Sequence, residues 1–142
     1  MKTVDHLLRT KPTDIWCIGP EAMVLDAITL MAEKEIGALV VKDRDEVVGI
    51  VSERDYARKV ILRGRAARET PVREIMSTNV IFASPGQTVE HCMGMMTDKR
   101  IRHLPVLSEG RLVGIISIGD LVKAIITDQQ EIIEQLETYI RG

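Results

Sequence analysis

Gly49-Ile50-Val51-Ser52-Glu53-Arg54-Asp55 returns 65 residues later as Gly114-Ile115-Ile116-Ser117-Ile118-Gly119-Asp120. Each copy reads as a buried, β-branched strand, a Ser at the strand exit, and an Asp three residues on in the first turn of a helix. That order gathers a hydroxyl, backbone N–H groups and a carboxylate around one small space at a strand-to-helix junction. A helix N-terminus favours phosphate, and a carboxylate can accept two hydrogen bonds from a ribose diol. The pattern therefore suits a nucleotide. Alone, Asp55 and Asp120 read equally as first-turn acids favoured by the helix dipole, by about 0.3–1 kcal/mol each. The joint return of Gly, Ser and Asp in step argues for more than a cap.

Working outward, the same register pairs Pro20 with Pro85, Val24 with Val89, Met31 with Met96 and Lys34 with Lys99. It also pairs Leu39 with Leu104, Val41 with Val106, Val48 with Val113 and Ile61 with Ile126. No gap is needed from Pro20 to Ile61, so two superposable units sharing one core are expected. The division falls at 1–65 for the first repeat, with an N-terminal helix and lead-in strand, and 66–142 for the second, with the linker and a C-terminal helix.

Composition narrows the function classes. The chain of 142 residues is 45% hydrophobic but only 3% aromatic, so its core is aliphatic and filled by Met. A net charge of −2 argues against a dedicated nucleic-acid binder. Cys17 and Cys92 have no metal-ligand spacing and imply no disulfide framework, which suits a reducing cytoplasm. No signal peptide or membrane span is expected. No Ser–His–Asp arrangement, P-loop or dinucleotide fingerprint is present, so neither a catalytic nor a metal site is assigned.

Along the chain, the first unit reads as a short helix Val4–Arg9, a strand Asp14–Ile18, a helix Val24–Glu35 ended by Gly37, strands Ala38–Lys42 and Val47–Ser52, and a helix Glu53–Leu62. The second reads as a short helix Val72–Met76, a strand Asn79–Ala83, a helix Val89–Lys99, strands His103–Leu107 and Arg111–Ser117, and a long helix from Gly119 towards Tyr139. Pro105 lacks a ladder donor, which puts its strand at an edge or facing a cleft. Between Glu53 and Arg73, seven Arg or Lys stand against three acids. Of these only Arg54, inside the heptad, is assigned to phosphates; the rest read as a solvated face.

The two heptads, the strands Ile36–Val41 and Ile101–Val106, and the Pro-led helices before them resemble a tandem pair of CBS domains, a Bateman module of the stand-alone bacterial kind. The resemblance spans about Thr13 to Ile126. It implies an α/β (α+β) fold of two pseudo-twofold β-α-β-β-α repeats packed sheet to sheet, with ligands in the clefts between them. The implied function is non-catalytic sensing of an adenine nucleotide: AMP foremost, or ADP, ATP or NAD(H). The signal would pass to a regulated protein partner, from a homodimer. The resemblance assigns ribose to Asp55 and Asp120, and phosphates to Ser52, Arg54, Ser117, Arg102 and His103. The base walls fall to Thr13, Ile15, Gly37, Ala38, Leu39, Val80 and Ile116. Arg102-His103 stands where the first repeat has Gly37-Ala38, so the two sites are expected to be unequal. A structural docking module with empty clefts and a nucleotide hydrolase are the rival classes.

Overall fold

The computed structural model describes residues 2–10 and 14–141. In chain order the elements are α1 (Val4–Thr10), β1 (Cys17–Ile18), α2 (Val24–Lys34), β2 (Ala38–Asp43), β3 (Glu46–Ser52), α3 (Glu53–Tyr56), α4 (Val89–Lys99), β4 (His103–Ser108), β5 (Arg111–Ser117) and α5 (Ile118–Arg141). The fold is mixed helix and strand with small sheets, as the duplicated pattern predicts. α3 continues as a π-helical turn over Ala57–Ile61, and the expected short helix at Val72 is a 3-10 turn, Val72–Glu74.

The duplication extends to backbone detail in the hairpins and in the helix ends before them. β2 pairs antiparallel with β3 and β4 with β5, with Ala38 opposite Ser52 and His103 opposite Ser117. Both hairpins carry a register shift at the same place, between Val41 and Lys42 and between Val106 and Leu107. α2 and α4 end on matched left-handed residues, Glu35 (φ 54°) and Arg100 (φ 55°). Gly37 is therefore not the terminating residue; the chain has already turned two positions earlier.

The lead-ins are where the folded chain departs from a division at residue 65. One compact unit comprises Trp16–Val80, the other Met1–Ile15 with Ile81–Gly142. In the first of these, the backbone around Thr70–Val72 clamps the start of α2: Val24 N–H donates to Thr70 O and Val72 N–H to Ala22 O, both at 2.8 Å. Ser77 and Ile50 exchange two hydrogen bonds at the edge of β3. In the other unit, the N-terminal segment does the same for α4, with Val89 N–H donating to Lys2 O and Val4 N–H to Gln87 O. Each repeat is thus covered by the lead-in that precedes the other in sequence.

Each unit closes its own core. Val24, Ala27, Met31, Leu39, Val41, Val51, Val60, Val72 and Ile75 form one. Val4, Leu7, Ala83, Val89, Cys92, Met96, Leu104, Val106, Ile116, Leu121 and Ala124 form the other. Both are aliphatic and Met-filled. The heptad glycines serve this packing rather than a turn. A Cβ on Gly49 would lie 2.7 Å from Met76 Sδ and 2.9 Å from Ser77 O, and one on Gly114 would lie 2.5 Å from Leu8 Cδ2. Both admit the covering segment.

Pro105 explains the missing strand at Asn79–Ala83. Ala83 N–H donates to Pro105 O and Leu107 N–H to Ala83 O, which leaves a single parallel bridge between Ala83 and Val106. The matched position in the first repeat is Val40, which keeps its N–H, and there β1 pairs with β2 over two residues. Pro105 is buried, so it neither edges the sheet in solvent nor faces an open cleft.

Candidate functional site

Two strand-to-helix corners carry the predicted ribose and phosphate residues. At the first, Ser52 caps α3 in extended conformation, and its Oγ accepts from Asp55 N–H at 3.2 Å. Asp55 Oδ2 accepts in return from Ser52 N–H at 3.0 Å and Ser52 O–H at 3.1 Å. This reciprocal cap comes from Ser and Asp at spacing three. At the second corner Ser117 N–H donates to Asp120 Oδ2 at 2.8 Å and Asp120 N–H to Ser117 Oγ at 3.2 Å. Hydroxyl and carboxylate are therefore engaged in capping the helix at both corners. The first helical N–H groups are also engaged: Glu53 donates to Gly37 O at 3.0 Å and Ile118 to Arg102 O at 2.9 Å.

The same bonds bring predicted residues together. His103 lies directly opposite Ser117 in the β4–β5 register, and Arg102 holds Ile118 through its carbonyl, so Arg102, His103, Ser117 and Asp120 share one corner. Gly37, Ala38, Ser52 and Asp55 share the other, with the exposed Arg54 one residue before the acid. The charge asymmetry read from the sequence is thus built into matched frames.

Other assignments fare differently. Leu39 and Ile116 are 0% exposed and sit inside the two cores. Strand alternation turns both inward, so neither offers a wall to a ligand. Ile15 and Val80 are half-buried, and Thr13 lies outside the described residues. The Trp16 ring packs on its unit's core with the Lys34 ammonium 4.1 Å from its centroid.

Two features were missed in the sequence. Lys59 Nζ lies 3.1 Å from Asp55 Oδ1 and donates to Ile75 O at 2.9 Å, so it links the acid to the lead-in segment. Its signal was the i,i+4 spacing from Asp55. The second is a groove of about 290 Å³ between α1 and the start of α5, lined by Lys2, His6, Leu7, Thr10, Asp120, Lys123, Ala124 and Thr127. Lys2 is tied there to Asp128 at 3.4 Å and Glu131 at 3.9 Å. The groove's residues come from the two ends of the chain, which no local pattern joins.

Burial pushes the thiols of Cys17 and Cys92 up, with Lys42 opposing the rise at Cys17. Among the described residues no group of three or more His, Cys, Asp or Glu side chains is placed to hold a metal ion. Among them too, no helix is long and apolar enough to cross a membrane.

Comparison with known proteins agrees with the duplication. The CBS domain profile matches residues 4–62 and 72–127. The mitochondrial CBS domain-containing protein CBSX3 of Arabidopsis thaliana is 38% identical over 133 residues, which cover 90% of this chain and 64% of that protein. The chain thus spans less than two thirds of that relative. A solved CBS-domain protein from Burkholderia ambifaria is 52% identical, with a TM-score of 0.88 over 90% of this chain and 96% of that one. The CBS domain pair of MJ0100, solved in complex with 5′-methylthioadenosine and S-adenosyl-L-methionine, has the same fold at 22% identity, with a TM-score of 0.79 over 90% of this chain and 98% of that one.

Proposed function

Because the chain belongs to the CBS-domain family, as a tandem pair, we propose that it is a non-catalytic regulatory module that binds an adenosine-containing ligand and passes that state to a partner protein. The observation that carries this reading is the second corner, where Arg102 and His103 stand beside Ser117 and the Asp120 carboxylate. The carboxylate accepts hydrogen bonds from the ribose hydroxyls. Arg102 offers a rigid donor fork to a phosphate and His103 a second donor. Asp120 also lines the groove with Lys2, His6 and Lys123, which places two lysines among its neighbours in the lining. At about 290 Å³ the groove is at the small end of ligand sites, a nucleoside's scale rather than a dinucleotide's. At the first corner Asp55, Ser52 and Arg54 hold the corresponding positions. MJ0100's bound ligands are adenosine derivatives, which supports the ligand class.

The reading includes a homodimer. Beyond Asp128 every described residue of α5 is exposed, and Ile126, Ile133 and Ile140 recur at intervals of seven. Leu136 and Ile132 are 56% and 55% exposed on the same helix. A twofold partner is the commonest cover for such a stripe.

Thermal unfolding with AMP, ADP, ATP, NAD and 5′-methylthioadenosine tests the ligand reading. A ligand at a hundred times its Kd adds about 2.7 kcal/mol of stability, which raises Tm by several degrees for a chain this size. If no compound in the panel raises Tm, the sensor reading fails and the docking module replaces it.

A further inference from the structure

α5 outlasts its counterpart in the first repeat. At the register of 65, Ile61 corresponds to Ile126. The first repeat's helical run ends at Ile61 and the chain turns at Gly64 (φ 65°), whereas α5 runs on to Arg141. Along α5, Ile126, Ile133 and Ile140 recur every seven residues, and Val122, Gln129 and Leu136 stand four residues before each. All six are exposed. They form a seam of the kind that pairs helices, about 27 Å long at 1.5 Å per residue. Leu121 and Ala124, which enter the unit's own core, lie on another side of the helix.

The residues flanking the seam decide which way a second copy lies. On one flank stand Lys123, Gln130 and Glu137, and on the other Ile125, Ile132 and Tyr139. Lys123 is exposed and stands between the seam and the groove beside α1. In a parallel pair each flank meets the opposite flank, which sets Ile132 beside the partner's Glu137 and Ile118 beside the partner's Lys123. In an antiparallel pair each flank meets itself. One antiparallel register gives every seam residue a partner: Ile126 against the partner's Leu136, Ile133 against the partner's Gln129, and Ile140 against the partner's Val122. Sliding by seven residues leaves either Val122 and Ile126 or Leu136 and Ile140 without an apolar partner. In the full register Ile132 meets the partner's Ile132, Ile125 the partner's Tyr139, and Lys123 the partner's Glu137. Apolar flank meets apolar flank and the two charges pair. Flanking charges of this kind set the orientation of paired helices.

Resting on the homodimer reading above, we propose that two copies pair through α5 in antiparallel orientation, with Lys123 of each joined to the partner's Glu137 at the ends of the seam. The tail of each helix then covers the exposed root of the other, from Val122 to Ile126. The ion pair can form only between copies, because Lys123 and Glu137 of one helix stand about 21 Å apart along its axis.

Charge exchange in the full chain, read by sedimentation equilibrium at low ionic strength, tests this. Lys123→Glu and Glu137→Lys each turn two attractions into two repulsions, and each is expected to raise the dimer Kd about tenfold. Lys123→Glu combined with Glu137→Lys is expected to regain the wild-type Kd, and an equal mixture of the two single variants to pair as tightly. A short bismaleimide is expected to link Gln130→Cys, whose two copies meet across the seam. It is not expected to link Ile140→Cys, whose two copies lie about 27 Å apart. Wild type, with Cys17 and Cys92 alone, sets the background, and circular dichroism verifies that each variant is folded. A dimer in which Ile140→Cys is linked or Gln130→Cys is not, or in which the double variant is no tighter than the single ones, overturns the proposal and leaves the homodimer reading standing. A monomeric wild type removes the homodimer reading and the proposal with it.

Discussion

Substituting alanine for each heptad glycine separates two kinds of close approach that look alike in the sequence. At Gly49 the new methyl group meets Met76 Sδ at 2.7 Å, Met76 Cγ at 3.0 Å and the Ser77 backbone oxygen at 2.9 Å. Ser77 is fixed by its two hydrogen bonds with Ile50, at 2.9 and 3.0 Å, so it cannot retreat without stretching both. At Gly114 the methyl group meets only Leu8, closest at the tip of a side chain that can rotate away. Overpacking costs about 1–3 kcal/mol, and each weakened backbone bond removes up to about 0.5–1.5 kcal/mol. The lost chain entropy of glycine in the unfolded state offsets about 0.4–1 kcal/mol of this. Gly49→Ala is therefore expected to lower stability by about 1–3 kcal/mol, and Gly114→Ala by less than about 1 kcal/mol. Urea unfolding measures both, and with a slope of about 1–3 kcal/mol/M the Gly49→Ala midpoint falls by about 1 M. If Gly114→Ala is the more destabilised variant, or the two are equal, the argument from a fixed backbone oxygen is wrong.

Asp120→Ala is expected to weaken AMP binding by roughly ten- to a hundredfold, since hydrogen bonds to a charged acceptor contribute about 1.5–3 kcal/mol; calorimetry gives the ratio, and unchanged affinity rejects the ribose assignment. Leu104→Ala, at a fully buried site, should cost about 2–5 kcal/mol in urea unfolding. Both thiols are raised by burial and so are largely protonated at neutral pH, with reactivity that climbs as pH rises. Half-buried Cys17 is expected to react with a maleimide before Cys92, which is 0% exposed, and mass spectrometry of timed samples shows the order. Deleting residues 129–142 removes the exposed stripe of α5 and should convert the proposed dimer to a monomer in light scattering, with the unfolding midpoint of the remainder little changed.

The register of 65 made α2, α4 and both hairpins legible, because hydrophobic period and matched glycines are local signals that repeat in step. The folded hairpins then set Ser52 opposite Ala38 and Ser117 opposite His103. Three things lay outside the register's reach for physical reasons. The exchange of lead-ins depends on contacts between segments far apart in the chain, such as Ala22 with Val72 and Val4 with Gln87. The lost strand at Ala83 comes from one absent N–H at Pro105 on the neighbouring strand. Lys59 read as one more solvated cation in a basic stretch, because its partner Ile75 O belongs to the backbone and leaves no mark in the residue types. Leu39 and Ile116 were assigned to ligand walls through the family pattern, but their place in the alternation turns them into the cores.

The exchange of lead-ins also sets a timetable on the ribosome. Everything the Trp16–Val80 unit needs has been synthesised once Val80 is added, so it can close early. The segment that precedes it has to wait, because Val4 and Leu7 belong to the core completed by residues 81–142. At about 5–20 residues per second that delay is roughly 3–12 s. Throughout it, the amino-terminal helix is an amphipathic segment with no core to enter, and it is the part of the nascent chain most open to chaperones and to pairing with a neighbouring copy.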